Sequence, residues 1–298
     1  MNEQQPWTIG RLLSWTTDYL SGRGSSSPRL DAELLLAEVL KRPRIQLYAA
    51  FDEQPDEDAR GRFRDLVRRR ASGEPVAYLL GRREFYSQDF RVTSDVLIPR
   101  PETEHLVVLL LDLARGYQGA SDTLEIADVG TGSGILAVTA ARHLPKSRVT
   151  AIDVSPAALE IAQSNAVEHE VGDRLEWVES DLFAALPEER RWDFIVSNPP
   201  YVSTAEMDEL PEEVREHEPR LALLGGDDGT AVIRRLIPQA ARRLRPGGSL
   251  LVEVSPMIAE AVEGLLDAEP ALERGPTVKD LARHPRVVQA RRIEAPAG

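Results

Sequence analysis

Apolar residues recur at helical spacing over the first 80 positions of the chain. In WTIGRLLSWTTDYL (residues 7–20) and DAELLLAEVL (31–40) they stand three and four positions apart, as on one face of an α-helix. The stretch between them, SGRGSSSP, is rich in turn residues, and Ser27-Pro28 is a start signal for the second helix. A third helix is predicted over residues 56–73. The N-terminal region is therefore predicted to be all-α.

The third predicted helix carries an arginine run. Six arginines fall within residues 60–70, and Arg60, Arg64 and Arg68 are one helical turn apart. Such a run is most often a solvated helix face, and the alternative is a docking surface for an anionic partner. The pattern favours the first interpretation and leaves the second open.

After these helices the pattern changes twice. REFYSQDFRVTSDVLIPR (83–100) mixes aromatic, β-branched and polar residues, which predicts a short β-hairpin. Helical stretches then alternate with short apolar runs, and this alternation predicts an α/β domain whose parallel sheet is covered by helices on both faces. The predicted strands are TLEIADV, RVTAIDV, LEWVES, DFIVSN, SLLVEV and RVVQARRIE. We therefore expect a helical domain (1–82), a hairpin linker (83–99) and an α/β domain (100–298).

Composition narrows the class of protein. Hydrophobic residues make up 42% and charged residues 29% of the 298 positions, which is ordinary for a soluble globular protein. No apolar run approaches the roughly 20 residues of a membrane span, and the first residues lack the features of a signal peptide. The absence of cysteine excludes disulfides, thiolate zinc sites and cysteine nucleophiles. We expect a cytoplasmic protein without a membrane partner, and the scattered histidines predict no metal site.

Charge is distributed unevenly along the chain. The formal net charge is −13, with +1 over residues 1–84 and −14 over residues 85–298. A protein that grips a long nucleic-acid backbone normally presents a basic face. The acidic larger part therefore argues against a direct nucleic-acid partner.

A glycine loop, GTGSG, follows the first predicted strand. Gly130, Gly132 and Gly134 allow a sharp turn and a close approach of the backbone to a ligand, as in both nucleotide and dinucleotide sites. The spacing G-x-G-x-G differs from the G-x-G-x-x-G of dinucleotide-binding proteins. Asp128, just before the loop, would suit a cationic amino acid moiety better than a pyrophosphate. The loop therefore favours a cofactor other than a nicotinamide dinucleotide.

Acidic residues end the next two predicted strands. Asp153 can accept hydrogen bonds from both hydroxyls of a ribose. The alternative is a cap for the helix near Pro156, for which Ser155 is better placed. Asp181 and Leu182 could hold an adenine, through its exocyclic amine and its apolar face respectively. The carboxyl ends of the strands of an open α/β sheet form the edge where ligands bind, so these residues are expected at one site.

The fourth predicted strand ends in Asn198-Pro199-Pro200-Tyr201. Asn-Pro-Pro is a strand stop on any fold, because proline fixes φ and has no N–H. The functional alternative is activation of a planar amide or aromatic amine, whose nitrogen lone pair is delocalised. The Asn198 side-chain oxygen and the Pro199 carbonyl can accept its two N–H bonds, and Tyr201 can pack on its flat face. This chemistry needs positioning and electrostatics rather than a metal or a strong base.

These motifs, in this order, resemble a class I methyltransferase that uses S-adenosyl-L-methionine and releases S-adenosyl-L-homocysteine. NPPY is shared by enzymes that methylate adenine N6, cytosine N4 or glutamine N5. The flanking segments resemble the peptide chain release factor glutamine N5-methyltransferase (HemK/PrmC) family; they are LIPRPETEHLV (97–107), SNPPYV (197–202), EPRLALLGGDDGT (218–230) and LRPGGSLLVEV (244–254). The resemblance implies a Rossmann-like domain with a mostly parallel seven-stranded sheet, and class I release factors as protein partners.

The resemblance also implies roles for individual residues. The cofactor would be bound by Gly130, Thr131, Gly132, Ser133, Gly134, Asp153, Asp181, Leu182 and Asn198. The substrate glutamine would be bound by Asn198, Pro199, Pro200, Tyr201, Arg100 and Glu102, of which Asn198, Pro199 and Tyr201 would be catalytic. The chain departs from the family after the fifth strand, where Ser255 and Met257 replace the usual Gly and Gln. Leu182 replaces a frequent aromatic residue, so adenine packing is expected to be looser.

Three other functions remain open at the level of sequence. The nearest is methylation of a glutamine in a large-subunit ribosomal protein, although the RPETE segment favours the release-factor branch. The second is adenine-N6 methylation of DNA, for which a basic reading region is missing. The third is a non-catalytic binding module, against which the intact NPPY argues.

Overall fold

The structure is a computed structural model that describes residues 6–117 and 122–293. The described residues divide into two compact units. One is helical and consists of residues 6–82 and 211–217. The other is an α/β unit that holds the remaining described residues.

The helical unit is built around a small apolar core. The predicted helices are confirmed, and Thr8 and Asp56 cap two of them by accepting backbone N–H bonds from Arg11 and Ala59. Its helices are α1 (Ile9–Ser21), α2 (Pro28–Leu40), α3 (Arg44–Ala49), α4 (Glu57–Ala71), α5 (Val76–Leu80) and α9 (Glu212–His217). Leucines from α1 and α2 and Phe63 from α4 fill the core. The three short helices were not predicted, since one or two turns carry too little periodicity to detect.

Local acids neutralise the arginine run on α4. The pairs are Arg60 and Arg64 with Glu57, Arg62 with Asp58, Arg68 with Asp65, and Arg69 with Glu74. Arg70 differs because it is buried, and it contacts Asp31 at 2.7 Å and Glu213 of α9 at 2.8 Å. The run is therefore a solvated, ion-paired helix face with one buried structural arginine.

The α/β unit begins with a two-stranded hairpin and continues as alternating helices and strands. Its helices are α6 (Glu104–Gly116), α7 (Ile135–His143), α8 (Pro156–Glu168), α10 (Arg220–Leu223), α11 (Ala231–Arg243) and α12 (Ala259–Asp267). Its strands are β1 (Arg82–Phe85), β2 (Gln88–Arg91), β3 (Leu124–Val129), β4 (Ser147–Asp153), β5 (Leu175–Glu179), β6 (Trp192–Ser197), β7 (Leu244–Glu253), β8 (Leu272–Arg274), β9 (Val278–Lys279) and β10 (Pro285–Arg292).

One large sheet organises this unit. Its strand order is β5-β4-β3-β6-β7-β10-β8, and the two-residue strand β9 pairs with β10 to make it eight-stranded. The pairs between β3, β4, β5, β6 and β7 are parallel, while β10 runs antiparallel to its neighbours. The predicted α/β class and mostly parallel sheet are confirmed, with β9 as one strand more than predicted. Strand order reverses at β3, which is the position where open α/β sheets bind ligands.

Helices cover both faces of the sheet, which explains why its central strands are continuous apolar runs. On β6, Trp192 and Ile195 pack with α11 and α12, whereas Phe194 and Val196 pack with α6 and α7. From Phe194 to Val196 the alternation follows from the two-residue repeat of a strand, and a register shift between Trp192 and Phe194 puts Trp192 on the same face as Ile195. The two cores hold the strand ends, and therefore the loops that follow them, in fixed positions.

Replacing Arg70 by Ala should destabilise the helical unit by about 3 kcal/mol, because it leaves the buried Asp31 carboxylate without its cationic partner. Arg68→Ala is the matched control, since Arg68 and its partner Asp65 are both exposed, and it should cost under about 0.5 kcal/mol. Hydrogen exchange of the α2 and α4 amides measures the effect where it occurs. Equal protection in the two variants would contradict a stabilising role for the buried pair.

Candidate active site

The glycine loop after β3 adopts backbone conformations that favour glycine. Gly130, Gly132 and Gly134 have φ of 77°, 55° and 82°, in the left-handed region. Gly134 also lacks room for a side chain, because a Cβ there would lie 3.0 Å from the Cβ of Ala162. The Gly130 N–H donates to the Ile152 carbonyl at 2.8 Å. The loop is thus fixed to β4 before α7 begins.

Asp153 connects the end of β4 to the glycine loop. Its carboxylate is 9% exposed and accepts the Gly132 N–H at 2.8 Å and the Ser155 N–H at 3.0 Å. Burial raises its pKa, and the backbone N–H donors oppose that rise. Ser155 caps α8 by accepting the Ala158 N–H, so the alternative role of Asp153 as a helix cap does not apply. Its two oxygens keep lone pairs for further donors.

The residues after β5 take different positions. Leu182 is buried with a φ of 52°, which directs the chain through a tight turn at the cavity wall. Asp181 is largely exposed and forms an ion pair with Arg235 at 2.6 Å. Asp181 therefore lies at the rim of the site with a cationic neighbour that the sequence did not indicate.

Asn198 follows β6 and is oriented by a neighbour outside its own loop. Its Nδ2 donates to the Oγ1 of Thr103 at 3.2 Å, which leaves Oδ1 for another donor. Within the described part of the chain, no hydrogen bond uses Asn198 Oδ1 or the Pro199 carbonyl. Two acceptors that could hold the N–H groups of an amide are therefore available at one turn.

The NPPY turn is clamped from outside by a glycine-rich segment. Val202 pairs with Leu224, and the Gly225 N–H donates to the Val202 carbonyl at 2.8 Å. A Cβ on Gly225 would lie 2.7 Å from the Pro200 carbonyl oxygen, and a Cβ on Gly229 would lie 2.5 Å from that of Tyr201. Close backbone packing, which only glycine allows, thus supports the turn.

Tyr201 packs against the apolar core on one face of the sheet and does not line the cavity. Burial, and next the negative charge of Glu253, raise the pKa of its phenol. Its predicted stacking on a substrate stays a prediction.

The RPETE segment forms ion pairs beside this turn. Arg100 pairs with Glu218, and the buried carboxylate of Glu218 also accepts the Ile98 N–H at 3.1 Å. Glu102 lies 3.7 Å from Arg286 and is partly exposed. Arg100 faces the cavity, and Glu102 does not.

A cavity of about 390 Å³ joins these elements, a size typical of small-ligand sites. The predicted site residues that line it are Arg100, Gly130, Thr131, Gly132, Ser133, Asp153, Asp181, Leu182, Asn198 and Pro200. The predicted residues Glu102, Gly134, Pro199 and Tyr201 lie outside its lining. Asp128 also lies outside, because it is fully buried and accepts bonds from Thr131 Oγ1 and the Ala137 N–H, and burial raises its pKa to about 7.

Known proteins match this chain over most of its length. A family model described as PrmC N-terminal domain matches residues 11–81, and one described as methyltransferase small domain matches residues 109–216. A release factor glutamine methyltransferase of Rhodopirellula baltica is 50% identical over 95% of this chain and 96% of that protein. A protein of the same name from Koribacter versatilis is 42% identical over 96% and 99%. The chain belongs to the release factor glutamine methyltransferase family.

Solved structures agree with the family at the level of fold. The hMettl16 catalytic domain has a TM-score of 0.55 at 16% identity and covers 78% of this chain and 84% of that one. A methyltransferase from Pyrococcus furiosus has a TM-score of 0.50 at 16% identity and covers 71% and 91%. At such identities the likeness shows the fold alone. The predicted family and the predicted methyltransferase fold are both confirmed.

The cofactor of the family is S-adenosylmethionine, as predicted, and the cavity residues fit it. The Asp153 carboxylate offers lone pairs that suit ribose hydroxyls, and its backbone donors fix its orientation. Leu182 and Val154 supply apolar surface, and the glycine loop allows backbone contact. In the described residues no group of three or more His, Asp or Glu side chains is arranged to hold a metal ion. Nor does that part of the chain contain a helix long and apolar enough to cross a membrane.

Four residues beside the site were missed by sequence reasoning. Thr103, Glu218 and Glu253 fall inside the segments that carry the family resemblance, so a signal for them existed. Asn165 had none, because it lies within the apolar pattern of α8. Its side chain is fully buried and joins the hairpin to the glycine loop, donating to the carbonyls of Arg91 at 3.0 Å and Ser133 at 2.7 Å.

Asp153→Ala should weaken S-adenosylmethionine binding by about 1–3 kcal/mol, the scale of a lost charge-assisted hydrogen bond. Asp153→Asn keeps one acceptor and should lose less. Glu179→Ala is the matched control, because this exposed carboxylate ends the neighbouring strand β5 outside the cavity. Calorimetry measures all four proteins, and NADH should not bind. An Asp153→Ala variant with wild-type affinity would exclude this residue from the cofactor site.

Proposed function

We propose that the chain transfers a methyl group from S-adenosylmethionine to the side-chain nitrogen, N5, of the glutamine in the Gly-Gly-Gln motif of class I peptide chain release factors. The observation that carries the proposal is the pair of available acceptors at the NPPY turn, Asn198 Oδ1 and the Pro199 carbonyl, next to the glycine loop. The names of the similar proteins support the choice of substrate. Release factors act on ribosomes, so we place the reaction in the cytoplasm.

The difficulty of the reaction is that an amide nitrogen is a poor nucleophile. Its lone pair is delocalised into the carbonyl group, and two hydrogen-bond acceptors on its N–H groups favour return of that density to nitrogen. Asn198 and Pro199 provide the acceptors, and the prolines and the packed glycines limit movement of the turn. The acceptors interact more strongly as the nitrogen gains positive charge, so they stabilise the transition state more than the ground state.

The remaining cavity residues hold the two reactants in place. S-adenosylmethionine, when bound, would supply an electrophilic methyl group: the N5–methyl bond forms as the sulfur–methyl bond breaks, S-adenosylhomocysteine leaves, and the nitrogen loses one N–H proton to solvent. Asp153, Leu182 and the glycine loop would bind the cofactor, while Arg100 and Pro200 would contact the substrate side of the cavity. Glu102, Pro199 and Tyr201 lie outside the cavity lining, so their proposed substrate contacts require the bound protein to reach beyond it.

The alternative acceptors are a large-subunit ribosomal protein and DNA. Residues 85–298 carry a net charge of −14, which opposes a DNA backbone and leaves a protein acceptor as the better match. Incubation with labelled S-adenosylmethionine and purified release factor, ribosomal protein or DNA distinguishes them. Label on the release factor is expected. Label on another acceptor would replace the proposed substrate, and no label on any would favour a binding module.

Asn198→Ala should lower turnover by about 10²-fold or more, the scale for removing one oriented polar group from a reacting centre. Asn198→Asp keeps an acceptor of similar shape and should retain more activity than Ala. Single-turnover methylation of a release factor measures the rates, and thermal melts confirm that each variant folds. If Asn198→Ala folds and keeps near wild-type turnover, NPPY only ends the strand and has no catalytic role.

We further propose that residues 1–82 form a substrate-docking domain, joined through 83–99 to the catalytic residues 100–298. The paired arginines offer little charge to a partner, but large apolar side chains stay exposed on the described helical unit. These are Trp15, Leu30, Ile45, Tyr48 and Phe51. Such side chains can anchor a protein partner away from the reacting glutamine.

Ile45→Glu should raise the KM for an intact release factor about tenfold, the effect of losing one apolar anchor. The same variant should leave the KM unchanged for a short peptide that carries Gly-Gly-Gln. Val167→Glu is the control, since Val167 is similarly exposed, at 74% against 75%, but lies on α8 of the α/β unit. Equal KM values for wild type and Ile45→Glu on the intact factor would exclude this face.

A further inference from the structure

A buried carboxyl group without a full set of partners lies behind the NPPY turn. Glu253 ends β7, is 2% exposed, and does not line the cavity. Its Oε2 has no hydrogen-bond partner among residues 6–117 and 122–293. Burial of a carboxyl group costs stability unless the group is paired, and such groups cluster at functional sites. We therefore expect Glu253 to have a function.

Sheet register brings this carboxyl group next to Asn198. β6 and β7 are parallel neighbours, and Ser197 is paired with Val252. The next residues along the two strands are Asn198 and Glu253, so both leave the sheet at the same edge. The proximity therefore follows from strand pairing and not from the conformation of a loop.

Thr103 is fully buried beside Asn198. Its Oγ1 accepts the Asn198 Nδ2–H at 3.2 Å, and its hydroxyl is close enough to the Glu253 carboxyl group to lower the pKa of that group. A threonine hydroxyl has one proton to donate. When that proton points to an ionised carboxylate, the oxygen lone pairs face Asn198 and select its NH₂ group rather than its oxygen.

We propose that Glu253 is a positioning residue that acts through Thr103 to hold the Asn198 amide with Oδ1 directed at the substrate nitrogen. The inference rests on the function proposed above, because it takes Asn198 Oδ1 as an acceptor for the substrate amide. It deepens that function by assigning the orientation of the acceptor to a carboxyl group that touches neither substrate nor cofactor.

The protonation state of Glu253 decides the direction of this hydrogen-bond chain. Burial raises its pKa to about 7, opposed by the Thr103 hydroxyl, reinforced by the negative charge of Glu102, and opposed further by Arg286 and the Tyr201 hydroxyl. Protonated Glu253 can donate to Thr103, which frees the threonine proton to bond Asn198 Oδ1 and reverses the amide. Turnover limited by Asn198 should therefore rise with pH through about 7.

The same pKa shift makes Glu253 unfavourable for stability. Between the ordinary value of 4.5 and about 7, the folded chain retains a proton that the unfolded chain has lost, so stability falls as pH rises through that interval. Above pH 7 the full cost remains. Glu253→Gln should therefore raise Tm at pH 8, whereas a carboxylate that served only stability would lower Tm when replaced.

We call the chain from Glu253 through Thr103 to Asn198 the relay. Kinetics on a release factor test it. Thr103→Val removes the hydroxyl at constant shape and should lower kcat about tenfold with KM within twofold, while Thr103→Ser should restore kcat. Glu253→Gln keeps an uncharged acceptor, so it should remove the rise of kcat near pH 7 and retain more activity than Glu253→Ala. Asp193→Asn is the matched control, a buried carboxylate on β6 bonded to Arg245 and Tyr117, and should leave the pH profile of kcat unchanged.

A spectroscopic measurement tests the relay without any acceptor. The chain has three asparagines, Asn2, Asn165 and Asn198, so selective ¹⁵N-asparagine labelling resolves their side-chain NH₂ signals. The Asn198 signal should titrate with a midpoint near pH 7 in the wild type and should not in Glu253→Gln. The Asn165 signal, whose NH₂ group bonds carbonyls of Arg91 and Ser133, is the internal control.

The outcomes separate the relay from the function on which it rests. An Asn198 titration without methylation of a release factor would overturn the proposed substrate and support the relay. The relay would be overturned if methylation depends on Asn198 but the Asn198 NH₂ signal does not titrate and Thr103→Val keeps the wild-type kcat. The proposed methylation of the release factor would then still stand. A lower Tm at pH 8 in Glu253→Gln, with kcat and KM changed alike, would reduce Glu253 to a structural residue and overturn the relay as well.

Discussion

The pairing of β6 with β3, on the side opposite to β4, is the constraint on which the site depends. The chain passes from β3 to β4 on one side and later returns to β6 on the other side, so the carboxyl end of β3 opens into a crevice. The glycine loop follows β3 and Asn198 follows β6, so strand pairing alone places them side by side. The apolar runs on both sheet faces hold this arrangement through two cores.

The NPPY turn is held rigid by its prolines and by two glycines that pack against it. The prolines have no N–H and a fixed φ, and Gly225 and Gly229 have no Cβ to separate them from the Pro200 and Tyr201 carbonyls. Carbonyl groups are therefore held close to neighbouring backbone without a ladder of hydrogen bonds. A turn of this kind can present acceptors to a ligand and still keep its shape.

Buried acids concentrate at the same edge of the sheet. Asp128 is the last residue but one of β3, and Asp153 and Glu253 are the last residues of β4 and β7. Burial raises the pKa of each. Charged forms of such groups cost stability. Asp128 and Asp153 direct their oxygens at N–H groups of the glycine loop and α7, so part of this cost is offset by bonds that shape the loop.

Local pattern determined a large part of this protein. The alternation of apolar runs and helical stretches predicted the α/β class, because a strand that is buried on both faces of a parallel sheet is a continuous apolar run. GTGSG, Asp153 and NPPY were found at strand ends because turn residues and acids interrupt apolar runs. Only tertiary structure decided the partners: Thr103 reaches Asn198 across 95 positions, and Asp181 meets Arg235 across 54. Contacts at such separations depend on strand order and helix packing, and a short stretch of sequence contains neither. The same reason explains α9, a six-residue helix without a buried side chain that belongs to the helical unit through Arg70 and Glu213.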